Sequence, residues 1–452
     1  MATIDPDLSP RSLDARAFAC PGLYRIVPAK DGGICRVRVA LGSLSPAQLR
    51  AVGAAASHYG NGIVEITNRA NLQIRGMPLT QEPFLVSGLV DAGLAPAERW
   101  ADDARNVMVN PTAGFDAGDL IDVRSIAHDI LSRLGGDTIH AALSPKFAIQ
   151  IDGGGTSSVV DHPHDIWLLA VNVLDLGPMF QIGLAGAIAH NSISSAHRFC
   201  MPDEASDVVT ALVGEFIDLG IRTRGTTRMR DLVRLVGADE IWRRSELRLG
   251  RPLSKFSVDR VRSEAIAARR APLGLIAQRD MRYCAIGASP LLGRLDEAAL
   301  AELADVVDDF GAGEVRLTPW RSIIVPNVAH ANGDAATRAL ASAGFATSYE
   351  HPFAAMIACS GTSGCASALN DVQRDAKTIA QSLVLRESTL HLSGCAKSCA
   401  VPGTAEYTLV AVTGGFYDLY RRAPDADARF GKLIASRIDL PVARRLLAEQ
   451  CA

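Results

Sequence analysis

Four cysteines fall within 41 residues of this 452-residue chain, as Cys359-Ser-Gly-Thr-Ser-Gly-Cys365 and Cys395-Ala-Lys-Ser-Cys399. Two close pairs, about one helix and one strand apart, can converge on a single point. Four thiolates there suit zinc or an iron–sulfur cluster, both soft centres that sulfur binds well. Zinc usually takes hooks with two to four intervening residues. The five residues between Cys359 and Cys365 favour the cluster.

Other candidates for chemistry lie in the first half of the chain. Thr67-Asn68-Arg69 with Ile74-Arg75-Gly76, Arg105-Asn106-Val107-Met108, and Pro145-Lys146-Phe147 each join turn residues to a cation. Arginine grips carboxylates with a two-pronged fork, so Arg69, Arg75, Arg105 and Lys146 are expected to bind a multiply carboxylated substrate. Asp161-His162-Pro-His164-Asp165 can supply a His/carboxylate iron site, with His162 and His164 as ligands. It can equally form a turn, closed by Asp165, into the strand that starts at Ile166. The run Arg222 to Arg230 reads as a solvated helix face or as an anion contact. Gly153-Gly154-Gly155 lacks the strand-to-helix setting of a dinucleotide site and reads as a flexible loop.

The elements that must position these residues come in two copies. Residues 33–76 read as strand, helix, strand: Ile34 to Ala40 alternates with the strand period, Ser45-Pro46 opens a helix, and Gly60 and Gly62 close it. The same text recurs 251 residues later, with nine identities in the 27 positions from Leu41 to Thr67, so the unit is duplicated. Copy two places Trp320 and Pro326 where copy one has Arg69 and Arg75, with Arg321 one residue off the first. At an offset of 249, Asn110 meets Cys359, and Leu143-Ser-Pro-Lys146 meets Leu392-Ser-Gly-Cys395. A pseudo-twofold pair of halves is therefore expected, one holding metal and the other gripping an anion across a cleft. A helix from Ala366 to Val384 should point its positive end at the cysteines.

These elements make an α+β protein with ferredoxin-like half-domains over residues 20–80 and 272–330. Mixed α/β domains are expected over 100–190 and 350–452, and a helical connecting region over 200–268. The net charge of −3 gives no footprint for nucleic acid. Residues 1–19 carry Asp5, Asp7 and Asp14 and do not read as a signal peptide. The apolar stretch from Ile166 to Ala189 is broken by Asp175, Gly177 and Pro178, and reads as a buried strand and loop, with no membrane span. The cytoplasm is the compartment expected of clustered reduced thiols.

C-x5-C…C-x3-C with glycine-rich flanks resembles the cluster motif of the sulfite and nitrite reductase superfamily. The duplicated units are similar to its ferredoxin-like repeats, and the Arg69, Arg105-Asn106 and Lys146-Phe147 segments to its anion-binding motifs. Ala19-Cys20-Pro-Gly-Leu, Gly60 to Thr67, and Ser393 to Cys399 look most like a branch that hydroxylates a tetrapyrrole with O2 in aerobic cobalamin synthesis. That resemblance implies a [4Fe–4S] cluster on Cys359, Cys365, Cys395 and Cys399, a mononuclear non-haem iron, and an anionic tetrapyrrole substrate. It further implies NADH as ultimate electron donor through a separate reductase. The sirohaem reductases of the superfamily carry Lys-Phe-Lys where this chain has Lys146-Phe147-Ala148, a departure that argues against sulfite or nitrite as substrate.

Overall fold

A computed structural model describes residues 20–190, 197–222, 226–263, 270–311, 313–383, 385, 388–401, 405–423 and 429–451. The acidic N-terminal stretch 1–19, residues 223–225 of the basic run, residues 264–269 of the connecting region and Val384 lie outside them.

Each copy opens with an antiparallel sheet. In copy one, strands Val27–Ala29, Gly32–Val37, Leu72–Met77 and Val64–Ile66 lie side by side, and the fifth strand, Arg294–Leu295, comes from the other copy. The exchange is mutual, since Ser43–Leu44 completes the sheet of Gly274–Ala277, Tyr283–Ala288, Ile323–Ala329 and Val315–Leu317. Two-residue strands carry no periodic signal, so the swap is invisible in sequence. Its consequence is a single core. Leu49, Val52 and Ala56 of helix Pro46–Tyr59 and Leu300, Leu303 and Val307 of helix Glu297–Phe310 belong to one buried cluster spanning both copies. Burial on that scale stabilises by about 1.5–3 kcal/mol per large aliphatic side chain, so neither half-domain is complete without the other.

The helix starts follow the sequence reading. Ser45 Oγ accepts the Gln48 N–H at 3.2 Å, while Gln48 Oε1 accepts the Ser45 N–H at 3.0 Å, a reciprocal cap. In copy two Asp296 accepts the Ala299 N–H at 2.9 Å. The C-terminal reading needs correction at Gly60, which is extended; Gly62, at φ 79°, is the left-handed residue. Gly60 is required because a Cβ there would lie 2.5 Å from Arg75 O. The duplication extends to strained backbone: Leu41 and Leu292 have φ 54° and 53°, and Ala70 and Arg321 have φ 52° and 61°.

The mixed domains also correspond. In copy one Val107–Val109, Ile149–Asp152 and Ile166–Val173 run parallel, and Gly177–Leu184 and Arg198–Cys200 return antiparallel. The expected loop after Ile166–Val173 is thus the second strand of a hairpin. In copy two Met356–Ala358, Leu390–Ser393 and Tyr407–Thr413 are parallel, with Phe416–Arg421 and Lys432–Asp439 antiparallel. Register corrects part of the repeat. Val109 pairs with Ile151 and Ala358 with Leu392, so Gly153 corresponds to Gly394 and Lys146 does not correspond to Cys395. The segment between the copies is less a connector than part of copy one. Helices Ala205–Arg222, Met229–Val236 and Ala238–Leu249 bury Leu212, Phe216, Leu232 and Trp242 in the core of its sheet. Among the described residues no helix is long and apolar enough to cross a membrane.

Candidate functional site

Both cysteine pairs sit where parallel strands end. Cys359 follows Met356–Ala358, and its N–H bonds Leu392 O on the neighbouring strand. Cys395 follows Leu390–Ser393 by two residues. Gly394 joins the pairs, its N–H donating to Cys359 Sγ at 3.2 Å. A Cβ on Gly394 would fall 2.8 Å from Ala368 Cβ and 3.3 Å from that sulfur, so only glycine brings the second pair this close. Burial pushes the Cys359 thiol up, opposed by the Gly394 and Gly361 N–H groups. Burial likewise raises Cys399, and the thiols of Cys395, Cys359 and Cys365 push it further. All four sulfurs therefore share one neighbourhood.

The donor set is soft, and the N–H groups aimed at Cys359 are those that favour thiolate and sulfide charge. Among the described residues, no three His, Cys, Asp or Glu side chains close around a point as a single ion requires. The long helix expected from Ala366 does not begin at the cysteines. A one-turn helix, Gly361–Gly364, lies between Cys359 and Cys365, and the next helix, Val372–Ala380, starts where Asp371 accepts the Arg374 N–H. Asp371 is the stronger start signal, and Leu369 is 47% exposed.

Cys359, Cys365 and Cys399 line a cavity of about 360 Å³ whose opposite wall is copy one: Arg36, Glu65, Thr67, Asn68 and Arg75. Asn68 Nδ2 donates to Cys399 O at 3.0 Å across the gap. Arg75 lines this cavity, but its guanidinium is already engaged by Asp31 at 2.9 Å, Glu65 at 3.4 Å and Gly364 O at 2.8 Å. It clamps the cysteine loop to copy one. Arg69 is not among the residues lining the cavity; its Nη2 donates to Pro163 O at 2.7 Å, and Nη1 is buried without a partner among the described residues. Burial, then the neighbouring Arg228, lowers its pKa to about 10. Arg105 points elsewhere, donating to Leu94 O at 3.2 Å. Lys146 is exposed and is not in the cavity wall. Arg36 and Arg321 do line it, and both were missed by the sequence reading. The signal for Arg36 was present: it is on the polar face of the strand whose other face buries Cys35 and Val37.

The histidine cluster forms a turn. Asp165 accepts the Ala148 N–H at 2.9 Å, the Met229 N–H at 2.8 Å and Arg228 Nε at 3.0 Å. His162 Nδ1 lies 2.7 Å from Asp161, and His164 Nδ1 lies 2.9 Å from His162 O. Both Nε2 atoms are buried, but no third ligand accompanies them among the described residues.

Comparison with known proteins agrees with this architecture. The description "Nitrite/Sulfite reductase ferredoxin-like half domain" fits residues 27–90 and 276–343, and "Nitrite and sulphite reductase 4Fe-4S domain" fits residues 100–253. A precorrin-3B synthase of Sinorhizobium sp is 30% identical over 412 residues, covering 89% of this chain and 82% of that one. The chain belongs to the nitrite and sulfite reductase superfamily. A ferredoxin–nitrite reductase of Synechococcus elongatus is 28% identical, covering 83% of this chain and 76% of its own. The structure of Mycobacterium tuberculosis NirA superposes with a TM-score of 0.74 at 20% identity, covering 92% of this chain and 79% of that one, and shares the fold.

The superfamily's 4Fe-4S description falls on the copy that lacks the cysteines, and the structure explains what stands there. Asn110 holds the place of Cys359, and its Oδ1 accepts the Gly153 N–H at 3.0 Å as Cys359 Sγ accepts that of Gly394. Asp116, Asp119 and Asp152 fill the space with a hydrogen-bonded network through Thr112, Thr156 and Ser158. Gly153-Gly154-Gly155 is correspondingly tight: a Cβ on Gly155 would meet Asp119 Oδ1 at 2.3 Å. Burial, then the Asp116 charge, raises Asp119 to about 7. An iron–sulfur oxidoreductase with one thiolate site and one polar replica is what this family membership supports.

Proposed function

We propose that the chain is a precorrin-3B synthase-like monooxygenase, hydroxylating precorrin-3A at C20 with O2 and forming a γ-lactone in aerobic cobalamin biosynthesis. The observation that carries this reading is the 30% identity to the Sinorhizobium precorrin-3B synthase across 89% of the chain. Ala148 supports it. It is fully buried, with its N–H on Asp165 at 2.9 Å, where the sirohaem reductases' pattern has a second lysine. Cys359, Cys365, Cys395 and Cys399 would hold a [4Fe–4S] cluster, which supplies single electrons when bound. Arg36 and Arg321 give the carboxylated macrocycle its cationic wall, with Arg69, Arg105 and Lys146 outside the lining. Arg75, neutralised by Asp31 and Glu65, positions the cysteine loop and leaves the grip to its neighbours. A separate reductase would draw on NADH, and the reaction would run in the cytoplasm. A mononuclear iron belongs to this reading only by resemblance, and no step is assigned to it.

The alternative is a sirohaem-dependent nitrite or sulfite reductase, favoured by the 28% identity to the Synechococcus enzyme. Purified protein decides between them. Turnover of precorrin-3A with O2 and a reductant, giving a product with one added oxygen atom, supports the monooxygenase. Strong sirohaem bands with nitrite or sulfite reduction overturn it.

A further inference from the structure

Beside the cluster-facing cavity lies a second, smaller chamber of about 50 Å³. Asp161 and His162 of copy one close one side, and Arg270, Trp320 and Arg321 of copy two the other. Arg321 and Ala400 line both spaces, so the two adjoin across one guanidinium. The chamber has room for one or two waters, at about 30 Å³ each, or for one carboxyl group, and none for a macrocycle.

Two polar atoms belonging to its wall residues are buried and have no hydrogen-bond partner among the described residues: His162 Nε2 and Trp320 Nε1. Their residues are 3% and 8% exposed. An indole Nε1–H can only donate. His162 Nδ1 lies 2.7 Å from Asp161 Oδ1; in the tautomer whose Nδ1–H donates to that carboxylate, Nε2 is an acceptor. An indole donor and an imidazole acceptor, flanked by Arg270 and Arg321, are the complement of a carboxyl group, whose carbonyl oxygen accepts from Trp320 and whose O–H donates to His162. Arg321 is itself fixed, donating to Ile66 O at 2.8 Å and to Ala358 O at 2.6 Å.

We propose that this chamber takes one carboxylate arm of the ligand whose body fills the main cavity, with Trp320 and His162 as its direct partners. The inference rests on the tetrapyrrole reading. Its test is titration of the purified, cluster-loaded protein with a porphyrin octacarboxylate (uroporphyrin), followed by fluorescence quenching. Trp320→Phe keeps the ring and removes the N–H; His162→Ala removes the acceptor. Each should weaken binding about tenfold, and His162→Gln should restore part of the loss. Arg36→Ala reports on the main cavity, whose wall it lines. Circular dichroism and cluster absorbance identify any variant that fails to fold, and the His162→Gln and Trp320→Phe pair then carries the test. Wild-type binding that Arg36→Ala weakens, with Trp320→Phe and His162→Ala unaltered, overturns this inference alone. No wild-type binding overturns the tetrapyrrole reading and this inference together.

Discussion

Glu65→Gln removes one negative charge from the junction of three units. Glu65 is 4% exposed and receives Arg294 Nη2 at 2.8 Å from copy two, Arg75 Nη1 at 3.4 Å from its own copy, and Ser360 Oγ at 3.1 Å from the cysteine loop. Each ion pair is worth up to about 4 kcal/mol at an effective dielectric near 20, before desolvation is subtracted. Breaking a buried pair costs about 3–5 kcal/mol. Arg75 keeps Asp31, and glutamine keeps a neutral acceptor for Ser360, so the loss belongs at the low end, about 3 kcal/mol. The chain has several cores, so the readout is a urea midpoint by tryptophan fluorescence without a two-state free energy. That midpoint should fall, and the cluster should bleach faster under chelator, because Ser360 adjoins Cys359. Burial alone would raise the Glu65 pKa, but Arg321, Arg75 and Arg294 together hold it below the usual range. Its stabilisation is therefore present above the unfolded value of about 4.3 and lost as pH falls through the folded one. Wild type and Glu65→Gln should begin to converge as pH falls below the unfolded value and meet once it has passed the folded one. Equal midpoints and equal bleaching at pH 7 would refute the reasoning.

Asp119 moves stability the other way. Its folded pKa of about 7 lies above the unfolded value, so its contribution is complete below about pH 4 and is lost as pH rises to 7. Urea midpoints compared across that range should show the wild-type midpoint falling relative to that of Asp119→Asn as pH rises from about 4 to about 7. Arg36→Ala should weaken porphyrin octacarboxylate binding by about 10- to 100-fold, a charged hydrogen bond's worth, since Arg36 lines the cavity. Arg105→Ala, measured in the same titration, should change it far less, since Arg105 donates to Leu94 O and stands outside the cavity wall.

What the sequence discloses and what it hides divide along physical lines. Caps are local, so Ser45-Pro46 marked the start of the first long helix correctly. The repeat survives because Leu41, Gly42, Ala70 and their partners occupy backbone conformations that constrain both copies alike. Cysteine types and spacing reveal the thiolate site because few other arrangements explain them. Register is different. An ungapped offset cannot see that the loop from Asn110 to Gly153 is longer than that from Cys359 to Gly394, so Lys146 was matched to the wrong residue. Arg75 shows a second blind spot. A cation near a cleft reads the same whether it is free or already neutralised, and only the positions of Asp31 and Glu65 tell the two apart. Arg36 was legible as part of the outward face of an alternating strand.

The account rests on four thiolates holding an iron–sulfur cluster against a cationic wall. Anaerobic counting of iron and acid-labile sulfide, with EPR of the reduced protein, tests it in wild type and Cys395→Ser side by side. About four iron and four sulfide per chain are predicted for wild type, with the brown absorbance and the EPR signal lost in Cys395→Ser. Zinc without labile sulfide, or a Cys395→Ser spectrum identical to wild type, would contradict it.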